Sequence, residues 1–112
     1  MKKPISMITS YHAHVYYNDA TKQTASNLRD QIGQKFAVKL GRWHDEHVGP
    51  HKMAMYQVQF MPSEFNKLLP WLMLNRSDLD ILVHPETGNN LEDHTDNAVW
   101  LGNKLDLELN GL

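Results

Sequence analysis

The sequence of 112 residues predicts a small α+β domain, and three observations carry that expectation. Short runs rich in β-branched and aromatic residues read as strands. Two longer stretches repeat their apolar residues every three or four positions and read as helices. Turn-forming residues separate the two kinds of segment, in the order strand, helix, strand, strand, helix, strand.

The first strand is expected over Ile8 to Tyr17, with Asn18 and Asp19 ending it and able to cap the next element. Thr21 to Phe36 reads as an amphipathic helix whose stripe is Ala25, Leu28, Ile32 and Phe36. Gly33 weakens its last turn. Val38 to His44 is the second strand, and Asp45 to Lys52 is a loop carrying Gly49-Pro50. Met53 to Phe60 is the third strand, ended by Pro62. Ser63 is expected to cap a second helix to about Leu74, striped with Phe65, Leu68, Leu69 and Leu72, and kinked or broken at Pro70. Leu79 to His84 is the fourth strand, stopped by Pro85. Glu86 to Leu112 reads as polar loop, with a short apolar stretch at Ala98 to Leu101.

A βαββαβ order with right-handed crossovers and a central hairpin predicts the ferredoxin-like sandwich. Its antiparallel sheet has the order 4-1-3-2, with both helices on one face. One domain is expected over residues 1–112, with its core over about 8–102 and a tail at 103–112.

Composition narrows the function. The formal charge is −2 and the pI about 6.4, so nothing favours nucleic acid or an anionic membrane as partner. There is no cysteine, so a metal would have to sit on nitrogen or oxygen. That lack also suits a reducing cytoplasm. Lys2 and Lys3 resemble the start of a leader, but no long apolar stretch comes after them. A cytoplasmic protein is therefore expected. Phosphate-binding glycine loops, Gly-x-Ser-x-Gly and His-Glu-x-x-His are absent from the sequence, which disfavours nucleotide binding, serine hydrolysis and zincin chemistry.

The unusual count is seven histidines. Strand side chains alternate between faces. Tyr11, Ala13, Val15 and Tyr17 form the apolar set of strand one, and Ser10, His12, His14 and Tyr16 the other. The apolar sets should meet the helices, so the open face receives His12, His14, His84 and Gln57. In the expected topology His84 approaches the Ser10–His12 end of strand one, and His51 approaches the His14–Tyr16 end. That face also carries Leu82, Met53 and Met55, so a homodimer or the C-terminal segment should cover it.

His12-x-His14 puts two imidazoles on one side of a strand, roughly 7 Å apart at Cα, within reach of one metal ion. Half-buried strand histidines are the plainer alternative. His84-Pro85 ends a strand on a rigid turn, which orients a ligand or is merely a turn with an incidental histidine. In Asp93-His94 the carboxylate could orient the imidazole or be a helix cap. Arg42, His44, Glu46, His47 and His51 crowd one loop region. Arg42 could fork onto a substrate carboxylate, or the loop is simply solvated. Trp71 is read as helix core ahead of pocket wall.

Taken together, Tyr11-His12-Ala13-His14-Val15-Tyr16, Gly41-Arg42-Trp43-His44, Val48-Gly49-Pro50-His51, Met55-Tyr56-Gln57-Val58, Pro70-Trp71-Leu72-Met73-Leu74-Asn75-Arg76, Leu82-Val83-His84-Pro85-x-Thr87-Gly88 and Asp93-His94-Thr95-Asp96 resemble the DOPA 4,5-dioxygenase family. The likeness runs in order from about Ser10 to Gly102. It departs at His47 and Lys52, where the family often has proline, which bears on loop shape and substrate preference. The resemblance implies a ferredoxin-like fold, often dimeric, and ring opening of DOPA or a related catechol with O2. Such chemistry needs Fe(II) on three protein ligands with positions left open. His12, His14 and His84 are the expected ligands, with Glu46 as reserve carboxylate. His51 and His94 are the expected acid–base residues, and Arg42 the expected partner of the DOPA carboxylate. The alternatives are a related metalloenzyme acting on another phenolic substrate and a non-catalytic dimer that binds a small aromatic ligand.

Overall fold

A computed structural model describes residues 2–112. Its elements are β1 (Ser10–Tyr17), α1 (Lys22–Lys35), β2 (Val38–His44), β3 (Ala54–Phe60), α2 (Pro62–Asn75), β4 (Ile81–Glu86), α3 (Asn90–Asp93) and β5 (Val99–Leu101), after a short 3-10 turn at Ile5–Met7. The sheet order is β2-β3-β1-β4-β5 and every pairing is antiparallel. The expected 4-1-3-2 arrangement is present, with one strand added at the β4 edge.

Both long helices lie on one face. Ala25, Leu28 and Ile32 of α1 and Leu68, Leu69 and Leu72 of α2 pack with Ala13, Val15, Tyr56, Val58, Ile81 and Val83 in one buried cluster. Each fully buried valine, leucine or isoleucine of this set contributes about 1.5–3 kcal/mol of transfer free energy. Gly33 sits inside α1 because Leu40 leaves only 3.1 Å for a side-chain carbon there. Tyr56 ties the layers by donating from its hydroxyl to the Ala25 carbonyl at 2.8 Å. Trp71 packs edge-on to Phe36 at 5.5 Å against this core, which is the structural role read for it.

The departures have local causes. Pro62, not Ser63, opens α2, and Met61 flanks it with no side-chain cap. A proline at the first helical position loses only a donor that has no helical partner. Pro70 neither breaks nor ends α2, which runs through to Asn75. Pro70 and Asn66, whose carbonyl it leaves free, are both exposed, so water can serve that carbonyl. Pro85 does not stop β4. It pairs opposite Tyr11, while β5 covers β4 only at Ile81–Val83. Proline is tolerated where a strand has one neighbour instead of two. The stretch after Glu86 is not all loop, since it forms α3 and β5.

The other sheet face is covered by the chain itself. Tyr16, Met55 and Leu82 are buried beneath Val48, Met53, Ala98, Trp100, Leu105 and Leu107. The C-terminal segment thus supplies the cover that the apolar residues on this face demanded. Among the described residues no helix is long and apolar enough to cross a membrane.

Candidate metal centre

Alternation along β1 turns His12 and His14 to the face away from the long helices, and the β1–β4 register sets His84 directly opposite His12. The Nε2 atoms of His14 and His84 stand 3.0 Å apart. One ring nitrogen from each of His12, His14 and His84 lies within 4.8 Å of the other two. A second group, His14, His51 and His94, meets the same criterion. The groups share His14, so five histidines from four parts of the chain converge. The His84 and His94 rings are 4.1 Å apart, as are those of His14 and His51. His44 and His47 stay outside both groups.

His51 is held by its backbone. Val48 and His51 exchange both backbone hydrogen bonds around a turn in which Gly49 takes φ +54°, a conformation that favours glycine. On its other side His51 bridges to Leu107 of the C-terminal segment. The cover therefore also positions a site residue.

Several ring nitrogens have partners that settle their protons. His12 Nδ1 lies 2.9 Å from Glu86 Oε1, His84 Nδ1 lies 3.0 Å from the Pro85 carbonyl, and His94 Nδ1 lies 2.7 Å from the Asn90 carbonyl. A carbonyl or carboxylate oxygen only accepts, so each of these Nδ1 atoms carries the proton. In the neutral ring the Nε2 lone pair is then bare. This is the arrangement common to metal-bound histidines, whose outward nitrogen donates to an oxygen that fixes the ring.

Burial favours the neutral form of His12, His14, His51 and His84. It pushes His14 well below the usual histidine range, and neighbouring His51 and His84 add to the effect. Burial also lowers His51 to about 3, reinforced by His94, and His84 to about 4, against the Pro85 hydrogen bond that raises it. His12 is lowered by burial too, with Glu86 pulling the other way. Neutral imidazole is the form that binds a metal. His14 Nδ1 is buried with no hydrogen-bond partner among the described residues. Donor type, protonation and spacing therefore fit a divalent transition ion on nitrogen.

Glu86 was the carboxylate missed on this face. Extending β4 past Pro85 sets Glu86 opposite Ser10, on the side of His84 and Leu82. The alternation Leu82, His84, Glu86 was visible in the sequence, but ending the strand at Pro85 hid it. Glu46, the expected reserve, is exposed in the β2–β3 loop. Asp93 does not orient the neighbouring His94 ring. It is buried, and its oxygens accept from Thr87 N at 2.8 Å and Thr87 Oγ1 at 2.7 Å. It thereby closes the 87–93 loop that carries His94. Arg42 is exposed on edge strand β2, with β3 between it and β1.

Tyr16 was read as a face residue but given no role. Its hydroxyl is 2.7 Å from His51 Nδ1 and its ring stacks on Trp100 at 5.8 Å. Burial pushes its phenol well above the ordinary range.

A cavity of about 300 Å³ reaches the cluster at His94 and is lined by Trp100, Lys104, Leu105 and Leu107 among others. That volume suits a single aromatic ring with a short side chain. An apolar cavity of about 330 Å³ among Ile5, Met7, Tyr11, Phe65 and Val99 opens on the opposite sheet face and holds no histidine.

An antiparallel α+β sandwich with a histidine-lined face suited to a metal ion is the class that fold and site define. The Dopa 4,5-dioxygenase family model matches residues 11–111, and the chain belongs to that family. It is 37% identical to the DOPA 4,5-dioxygenase of Amanita muscaria over 96% of this chain and 51% of the relative. It is 36% identical to an uncharacterized 21.2 kDa protein of Botryotinia fuckeliana over 89% of this chain and 61% of the relative. The chain thus spans between half and two thirds of these fungal relatives. A crystal structure of a provisionally assigned dioxygenase from Nostoc punctiforme superposes with TM-score 0.95 at 49% identity, covering 96% of this chain and 94% of that one.

Proposed function

We propose that this protein opens the ring of a catechol, DOPA or a close relative, with O2 in the extradiol manner, at iron(II) held by His12, His14 and His84. The observation that carries the reading is the 3.0 Å approach of His14 Nε2 and His84 Nε2 with a His12 nitrogen within 4.8 Å. Iron(II), when bound, supplies a path for electrons between a singlet catechol and triplet O2, which otherwise react slowly.

The chain's own residues do the rest. Glu86 and the Pro85 carbonyl hold the His12 and His84 rings by their Nδ1 protons. His94 presents a bare Nε2 and takes a catechol proton, its Nδ1–H to the Asn90 carbonyl steadying the cation that forms. His51 holds a hydrogen bond toward the negative charge that develops on oxygen. The Trp100 wall of the cavity supports an aromatic substrate, and Lys104 is the cation there for a substrate carboxylate, with the lining carboxylates of Asp96 and Asp106 suited to the amino group of an amino acid. We therefore assign that contact to Lys104 in place of Arg42. The homodimer implied by the family belongs to this reading, and sedimentation checks it.

The test is an oxygen electrode with anaerobically iron-loaded protein and L-DOPA. Oxygen uptake with a coloured semialdehyde product is expected. Uptake with caffeate or protocatechuate but not L-DOPA would move the substrate to another phenol. Ligand binding without uptake would make the protein a binding module.

A further inference from the structure

Both histidine groups satisfy the same distance criterion, yet their hydrogen bonds differ in kind. His12, His84 and His94 each give an Nδ1 proton to an oxygen that can only accept. His51 Nδ1 faces a hydroxyl instead, Tyr16 at 2.7 Å. Tyr16 is 2% exposed, and among the described residues its hydroxyl has no hydrogen-bond partner except His51 Nδ1. A buried hydroxyl proton left without an acceptor is costly. The phenol must therefore donate, and His51 Nδ1 must accept. In a neutral imidazole the proton then sits on Nε2.

We propose that Tyr16 is a positioning residue that fixes the tautomer of His51, so that His51 enters the cluster as an Nε2–H donor and not as a metal ligand. The inference rests on the dioxygenase reading for its purpose, but the tautomer itself does not. It separates two groups that distance alone leaves equivalent: the ion belongs with His12, His14 and His84. The His51 Nε2–H then faces oxygen atoms brought there by substrate or O2. The pair is built to hold its proton. Passing the Nε2 proton on would draw the Tyr16 proton onto Nδ1 and leave a buried phenolate, which is unfavourable without a neighbouring cation. The stack on Trp100 and the His51–Leu107 bridge keep both partners in register.

Long-range 1H–15N correlation spectra of the 15N-labelled protein test this, first without metal and then loaded with zinc(II), which is diamagnetic. The expected result is a protonated Nε2 and an unprotonated Nδ1 for His51 in both states, with zinc-induced shifts on His12, His14 and His84. Tyr16→Phe keeps the ring and its stack, and should move His51 toward mixed or reversed tautomers. His51→Gln, which restores an N–H donor, should retain the zinc stoichiometry and more turnover than His51→Leu. An Nδ1-protonated His51, a His51 Nε2 that loses its proton to zinc, or loss of zinc in His51→Gln would each overturn the proposal. If zinc does not bind but His51 carries its Nε2 proton, the metal-centre reading falls and the tautomer assignment stands.

Discussion

His14 and His84 face each other across the β1–β4 pair with their Nε2 atoms 3.0 Å apart, although 70 residues separate them in the chain. His84 Nδ1 is protonated toward Pro85, so its Nε2 brings a lone pair to this contact. Without an ion the contact is one hydrogen bond. With one it is two adjacent ligand positions. His84→Ala removes both a proposed ligand and the ring that opposes His12. Expected are loss of bound metal and of oxygen uptake, with a stability cost of about 1–3 kcal/mol for a buried polar truncation. Elemental analysis after iron loading decides it: full metal content and turnover in the variant would remove His84 from the ligand set.

Glu86 meets His12 at 2.9 Å and His84 Nδ1 at 3.6 Å. In the proposed centre it acts through the two rings it contacts. Glu86→Ala should weaken metal binding about 10–100-fold, while thermal unfolding of the metal-free protein changes little because the side chain is partly exposed. Titration with zinc against a competing chelator measures this. Unchanged affinity would reduce Glu86 to a strand-end residue.

The reach of the sequence depends on which interactions are periodic. Alternation along β1 and β4 put His12, His14 and His84 on one face, and topology brought His51 to the His14 end, because both are consequences of backbone geometry. The boundaries failed at prolines. Pro85 was read by its usual effect, yet its cost depends on how many strands flank it, and that is a tertiary fact. Glu86 was lost with it. Strand β5 went unseen because Val99–Leu101 is too short for alternation to register, and it forms only against β4. The Tyr16–His51 bond joins residues 35 apart through a turn and a tail contact that no local pattern announces. Asp93 beside His94 suggested a pair, but neighbours in a turn point apart, and Thr87 claims the carboxylate.

Lys104 is the cation among the residues lining the cavity that reaches His94. If it receives the substrate carboxylate, Lys104→Met should raise KM for L-DOPA about 10-fold, the order of one exposed charge-assisted contact. With kcat preserved, dopamine, which lacks the carboxylate, should be turned over equally by variant and parent. The same loss for both substrates would assign Lys104 to the fold of the tail.

Acid should unfold the metal-free protein early, and the depressed histidines set the sign. Unfolded histidine titrates near 6.5, whereas burial holds His84 to about 4 and His51 to about 3 in the folded chain, and His14 well below its ordinary range. Between those limits the unfolded chain binds protons that the folded chain refuses. Their contribution is therefore complete above about pH 6.5 and is lost as pH falls toward the folded values. Each such group steepens the decline by up to about 1.4 kcal/mol per pH unit, against a total stability on the order of 5–15 kcal/mol. Urea midpoints of the metal-free protein should drop steeply from about pH 6.5 to about pH 4.5. His51→Leu should flatten that slope. Zinc, which competes with protons for the same lone pairs, should move the decline to lower pH. A flat midpoint across this window would mean that the imidazoles reach water or one another's protons more freely than their burial implies, and that the cluster opens before the fold does.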